Sequence, residues 1–191
     1  MKFNTALRLE LSTAWTHATT RAEAITQQDG VWVKSANKSR RHAGMIRGSA
    51  LNNVADQETK RFLCNRDNRV PRRLLTRPGY ADDNLASSES FVSSEVYAQV
   101  NSGTGSKVEF LTFLDTVCTV ELVCTATVDN PSQLRPGIGV DSSTSATVTA
   151  AMSVILALAQ ILLSVVCAHK ANLADGYHFF NFLAATTDLT A

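Results

Sequence analysis

A chain of 191 residues with 45% apolar and 18% charged side chains holds one sizeable domain or two small ones, and at this size it can bury a real core. Four Cys, four Pro and nine Gly exclude a disulfide-dense miniprotein, a collagen and a Pro-rich linker, and the apolar fraction excludes a wholly disordered chain. The formal charge is +1, from 18 basic and 17 acidic residues, but residues 34–77 hold twelve of the bases and three acids, whereas residues 79–191 hold three bases and eleven acids.

Leu7, Leu9 and Leu11 alternate with Arg8 and Glu10, the period of a short half-buried strand. No continuous apolar run and no small-residue cleavage site marks the opening residues as a secretory leader. Residues 18–28 fit two or three helical turns, and Asp29-Gly30 then supplies a turn ahead of the alternating Val31-Trp32-Val33. Residues 35–48 are basic and poor in large apolar side chains, which fits a loop or a charged edge strand. Residues 56–65 fit a second helix, with Asp56 as N-cap and Phe62 and Leu63 turned inward. Pro71, Pro78-Gly79 and the cluster Asn101-Ser102-Gly103-Thr104-Gly105 punctuate the middle of the chain.

The strongest periodic signal covers residues 108–128. Val108, Phe110, Leu114, Cys118, Val120, Leu122, Cys124, Ala126 and Val128 share one parity, and Glu109, Asp115, Thr119, Glu121, Thr125 and Thr127 the other. Such a length exceeds an ordinary strand, so a break near Asp115 or a bulge is expected. Asp129-Asn130-Pro131-Ser132 closes the run, and Gly137-Ile138-Gly139-Val140 resumes extended structure. Residues 150–168 carry no charge. That length reaches the minimum for crossing a bilayer, but Ser153, Gln160 and Ser164 interrupt it, and two buried strands, or a strand and a short buried helix, give the same run.

No catalytic constellation emerges. His17, His42, His169 and His178 lie in no metal-ligand motif, Ser142-Ser143 is not a nucleophile elbow, and Gly137-Ile138-Gly139 lacks the third glycine of a dinucleotide site. No metal, cofactor or catalytic residue is assigned. Cys118 and Cys124, six residues apart in one strand, stand about 20 Å apart, so buried free thiols are expected for them and for Cys64 and Cys167. The basic stretch of Lys38, Arg40, Arg41, Arg47, Lys60, Arg61, Arg66, Arg69, Arg72, Arg73 and Arg77 is the candidate interaction surface. Arg40, Arg41, Arg61, Arg69, Arg72 and Arg73 are assigned to contact with acidic surface, which the C-terminal half supplies, within the chain, between identical subunits or with a larger assembly. Nucleic acid is disfavoured, because stacking aromatics are nearly absent from the stretch.

The run Trp15-Thr16, Thr19-Thr20-Arg21-Ala22, Gln28-Asp29-Gly30-Val31, Val33-Lys34-Ser35 and Arg40-Arg41 resembles a linker-and-strand region of tailed-bacteriophage virion structural proteins. Lys60-Arg61-Phe62-Leu63 with Asn65 and Asn68-Arg69-Val70, then Gly137-Ile138-Gly139 with Asp141-Ser142-Ser143-Thr144, then Gly176-Tyr177-His178-Phe179 resemble successive landmarks of that family's C-terminal β-domain. Cys64 and Asp67 stand where the family's pattern has Trp and Tyr. The resemblance implies a tail fibre, head fibre or capsid decoration of jelly-roll type, without catalytic residues. It implies a homotrimer on the virion, with other capsid or tail proteins and a host surface receptor as partners.

Periodicity and resemblance together predict an all-β chain, an antiparallel β-sandwich of jelly-roll type with one or two short helices in the N-terminal third. Residues 1–30 are expected to form an N-terminal strand and attachment linker, and residues 31–191 the β-domain. Two alternatives make different demands: a membrane-anchored protein with residues 150–168 as its helix, which is disfavoured, and a nucleic-acid-binding virion protein using the Arg-rich stretch.

Overall fold

The computed structural model describes residues 20–48, 53–57, 59–67, 71, 73–74, 94–99, 107–113, 116–126, 132–149, 152–154 and 163–188. Every regular element among them is a strand, so the described fold is all-β. The chain divides into two units between Ala43 and Gly44. The strand expected around Leu7–Leu11 lies outside the described residues.

The first unit is built on a tight turn. Asp29 and Gly30 both take positive φ, 50° and 77°, as a type I′ turn requires, so β1 (Ile25–Gln28) and β2 (Val31–Lys34) fold back in register from Gln28↔Val31 to Ile25↔Lys34. A Lys34 ammonium to Glu23 carboxylate bond of 2.5 Å ties the open end. β3 (Asn37–Arg41) pairs with β2 and is exposed along its whole length, an edge strand guarded by Lys38, Arg40 and Arg41. The helical turns expected over residues 18–28 are corrected from Ile25 onward, where turn chemistry outweighs helix propensity.

The second unit is organised by β15 (Gly176–Asp188). β11 (Ser132–Val140) runs antiparallel along one of its edges; β9 (Lys107–Thr112) and β8 (Ser94–Gln99) pair end to end along the other. β12 (Val148–Thr149) and β13 (Met152–Val154) flank β11, and β6 (Lys60–Arg61) joins β9 in parallel, followed by β5 (Asp56–Gln57). Pro136 stands opposite Ala184 of β15, and on the other edge of β11 it falls between the β12 and β13 registers, where no described strand pairs with it.

The break expected near Asp115 is present: β9 stops at Thr112, and β10 (Val117–Ala126) starts five residues later. β10 forms a ten-pair antiparallel ribbon with β14 (Leu163–Asn172). Alternation along β10 is as expected. Cys118, Val120 and Leu122 pack on the cluster of Phe110, Ile138 and Phe180, while Val117, Thr119 and Glu121 are exposed. Alternation fails in β9, where Glu109, Phe110, Leu111 and Thr112 are all buried. β9 lies between β15 and β6, and its second face is covered as well as its first.

Residues 56–57, 60–61 and 63–65 are strand, correcting the expected helix. β5 and β6 make a tight antiparallel pair, and β7 (Leu63–Asn65) pairs with β4 (Gly44–Ile46). Phe62 and Cys64 are buried and Leu63 is 52% exposed, a period of two that turns Leu63 outward rather than inward. The uncharged run 150–168 contributes β13 and the first six residues of β14, so the alternative of a membrane helix over that run is corrected as well. No helix among the described residues is long and apolar enough to cross a membrane.

Leu183, fully buried, carries the sheet's packing. Leu183→Ala is expected to cost about 2–5 kcal/mol, whereas Val117→Ala, at a position 52% exposed, is expected to cost less than about 0.5 kcal/mol. Urea midpoints at unchanged slope measure both.

Candidate functional site

Register places a charged and aromatic cluster on the outer face of β6, β9 and β15. Lys60 stands opposite Glu109, Glu109 opposite Phe179, and Leu111 opposite Tyr177. Glu109 is 9% exposed. Its Oε1 accepts the Tyr177 hydroxyl at 2.5 Å and the Lys107 ammonium at 3.2 Å; its Oε2 accepts Lys60 at 3.3 Å. The Arg47 guanidinium lies 3.3 Å from the Tyr177 ring centre and 5.2 Å from that of Phe62, and Lys107 stands 4.5 Å over Phe179. These are cation–π contacts at partly dry positions, where they are strongest.

The electrostatics follow from the geometry. Burial pushes the Glu109 carboxyl up, but donation by Tyr177, Lys107 and Lys60 outweighs it and holds the group below its ordinary value. Burial pushes the Tyr177 phenol up, the Glu109 carboxylate adds to this, and Arg47 only partly opposes them. The pair therefore stays as phenol and carboxylate over a wide pH range.

A second cluster joins the loop after β11 to the start of β15. Asp141, in the left-handed region at φ 54°, sets Oδ2 2.6 Å from His178 Nδ1, and its Oδ1 accepts the Phe179 amide at 2.9 Å. His178 Nε2 lies 2.9 Å from the Ala174 carbonyl. Ser142 Oγ accepts the amides of Thr144 and Ser145, and Asn181 Nδ2 donates to the Ser142 carbonyl. A Ser, a His and an Asp thus sit close in space without forming a nucleophilic triad. Both His178 ring nitrogens are engaged, the ring is 3% exposed, and the Ser142 oxygen is committed to its own turn. The loop closes over Gly139, where a Cβ would stand 2.5 Å from the Ser142 carbonyl oxygen and 2.8 Å from Leu183 Cδ1.

The six arginines assigned to partner contact are distributed over both units. Arg40 and Arg41 lie exposed on β3; Arg61 is half-buried on β6 beside Phe110 in register; Arg73 is exposed outside any strand. Arg69 and Arg72 lie outside the described residues. The residues that do converge are Arg47 and Lys60, from the basic stretch, with Lys107, Glu109, Tyr177 and Phe179, which were not assigned to any site. Shared parity of Lys107 with Glu109, and of Tyr177 with Phe179, was the available signal. Cys64 and Cys118 are thiols rather than halves of a disulfide, and burial pushes the Cys118 thiol up, away from nucleophilic use. Among the described residues no group of three His, Cys, Asp or Glu side chains is placed to hold a metal ion. No family model, curated protein or solved structure matches the chain.

Two outcomes are expected. The stability contributed by Glu109 is present above its unfolded pKa of about 4.3 and is lost as pH falls through its lower folded value; that of Tyr177 is present below about pH 10 and is lost as pH rises toward its higher folded value. Tyr177→Phe should flatten the alkaline limb of a stability–pH curve, raise the Glu109 titration seen by carboxyl NMR, and cost about 2 kcal/mol at neutral pH. Asp141→Ala should cost about 2–3 kcal/mol and expose the amides of residues 140–147 to hydrogen exchange. Asp141→Asn, which tolerates the left-handed backbone, should cost less.

Proposed function

We propose that the chain is a non-enzymatic structural protein of a tailed-bacteriophage virion, a fibre or capsid decoration that assembles as a homotrimer through its β-domain. The observation that carries this reading is the convergence of the sequence landmarks behind the phage resemblance. Asp141, from the Asp141-Ser142-Ser143-Thr144 landmark, bonds His178 and Phe179 of the Gly176-Tyr177-His178-Phe179 landmark. Lys60 and Phe62, from a third landmark, meet Glu109 and Tyr177 on the same two strands, β9 and β15. Segments far apart in the chain thus act as one structural set, as landmarks of a shared domain should.

Further support comes from packing and chemistry. The ribbon of β10 and β14 laid on the Phe110 cluster is compatible with two layers of a jelly roll. Ile46 and Leu63, cross-strand neighbours in β4 and β7, are 51% and 52% exposed, an apolar pair suited to burial between copies. The Asp141–His178 pair serves the loop rather than a substrate, in keeping with a non-enzymatic role.

The test is the state of the purified chain. Light scattering should give three times the mass of one chain, with resistance to trypsin and dissociation in SDS; antibody labelling should decorate the particle. A monodisperse monomer that trypsin digests would overturn the assembly.

A further inference from the structure

The outer face of β6, β9 and β15 carries more positive charge than its own carboxylate balances. Arg47, Lys60 and Lys107 bring three positive charges, and Glu109 is the carboxylate found among them in the described residues. Both Glu109 oxygens are occupied, one by Tyr177 and Lys107 and the other by Lys60. An ammonium has three N–H donors, and each lysine spends one of them on Glu109. The side chains of Lys60 and Lys107 remain 30% and 26% exposed. Two ammonium groups are thus held on the two oxygens of one carboxylate, each partly exposed and each with donors beyond the one spent on Glu109. Charge at such half-buried positions is screened by salt less than charge in open water.

Arg47 adds direction to this field. Its guanidinium rests on the Tyr177 ring at 3.3 Å, so the planar fork is oriented by stacking, and an oriented fork favours paired oxygens. The rings narrow the class of ligand. Nucleic-acid bases stack on open aromatic faces, whereas Arg47 lies over Tyr177 and Lys107 over Phe179. A compact group held by charge and hydrogen bonds fits this face better than a stacked base.

We propose that Arg47, Lys60 and Lys107 form a binding site for an oxyanion of the phosphate, sulfate or carboxylate class, with Glu109 as the pivot that spaces the two ammonium groups. The site is independent of the assembly proposed above. Arg40 and Arg41 belong to the other unit.

The full-length protein would be titrated with inorganic phosphate, inorganic sulfate and glucuronate at constant ionic strength, followed by calorimetry and amide NMR. Saturable binding is expected, with shifts centred on Arg47, Lys60 and Lys107. Lys60→Gln with Lys107→Gln should weaken it by at least about tenfold, the scale of losing two charge-assisted contacts, with Arg40→Gln as the unchanged control. Glu109→Gln should strengthen binding while lowering thermal stability, opposite signs that a damaged fold would not produce. Should that variant fail to fold, the double lysine variant, checked for an unaltered melting curve, decides alone. Preference for glucuronate would identify a carboxylated sugar as the source of the anion, and preference for phosphate or sulfate an inorganic ion or ester; either upholds the site. Non-saturable binding, shifts centred on β3, or equal affinity in the double lysine variant would overturn it.

Discussion

β15 is hydrogen-bonded to β11 along residues 180–188 of one edge, and along the other to β9 over residues 176–181 and to β8 over residues 183–186. Where both edges are paired, over residues 180–186, the strand presents two faces, and each needs its own cover. Phe180 on one face meets Phe110 and Ile138; Leu183 on the other lies against Gly139 beneath the loop that Asp141 fastens. The polar side chains on β15 inherit the same constraint. His178 and Asn181 are buried there, and each finds a partner in the loop after β11.

The same enclosure explains why a carboxylate sits inside. Glu109 lies on the central strand β9, and a buried charge is tolerated only when its oxygens are bonded. Tyr177 of β15 and Lys60 of β6 supply those bonds from the two neighbouring strands, and Lys107 from β9 itself. The acid is therefore a local organiser of cations, and the positive surplus around it is a product of the strand order.

Much of the second unit was legible from alternation alone. The β10 pattern and the break before it are local properties, written in adjacent residues, and so are the Asp29-Gly30 turn and the charged edge at β3 in the first unit. What was not legible is pairing between distant segments. Glu109 has the parity of an outward residue, and only the side chains that β6 and β15 bring beside it bury it on that face. Residues 56–65 misled for a related reason. Asp56 and the Phe62-Leu63 pair satisfy a helix start, yet Lys60 and Arg61 are drawn into a parallel pairing with β9 that no local rule contains. The basic stretch was visible as composition, but composition does not say which cations share a face: Arg47 and Lys60 do, with Lys107, which lies outside that stretch.

The position of β15 in the chain also bears on how the protein is made. Its partners among the described residues, β8, β9 and β11, precede it in sequence, and its pairing with β9 closes a loop of more than sixty residues, as the Glu109–Tyr177 bond spans 68. During synthesis the earlier strands emerge from the ribosome without the element that joins them. Their apolar faces stay open until β15 arrives, a wait that favours slow, late cooperative folding and a need for chaperone shelter.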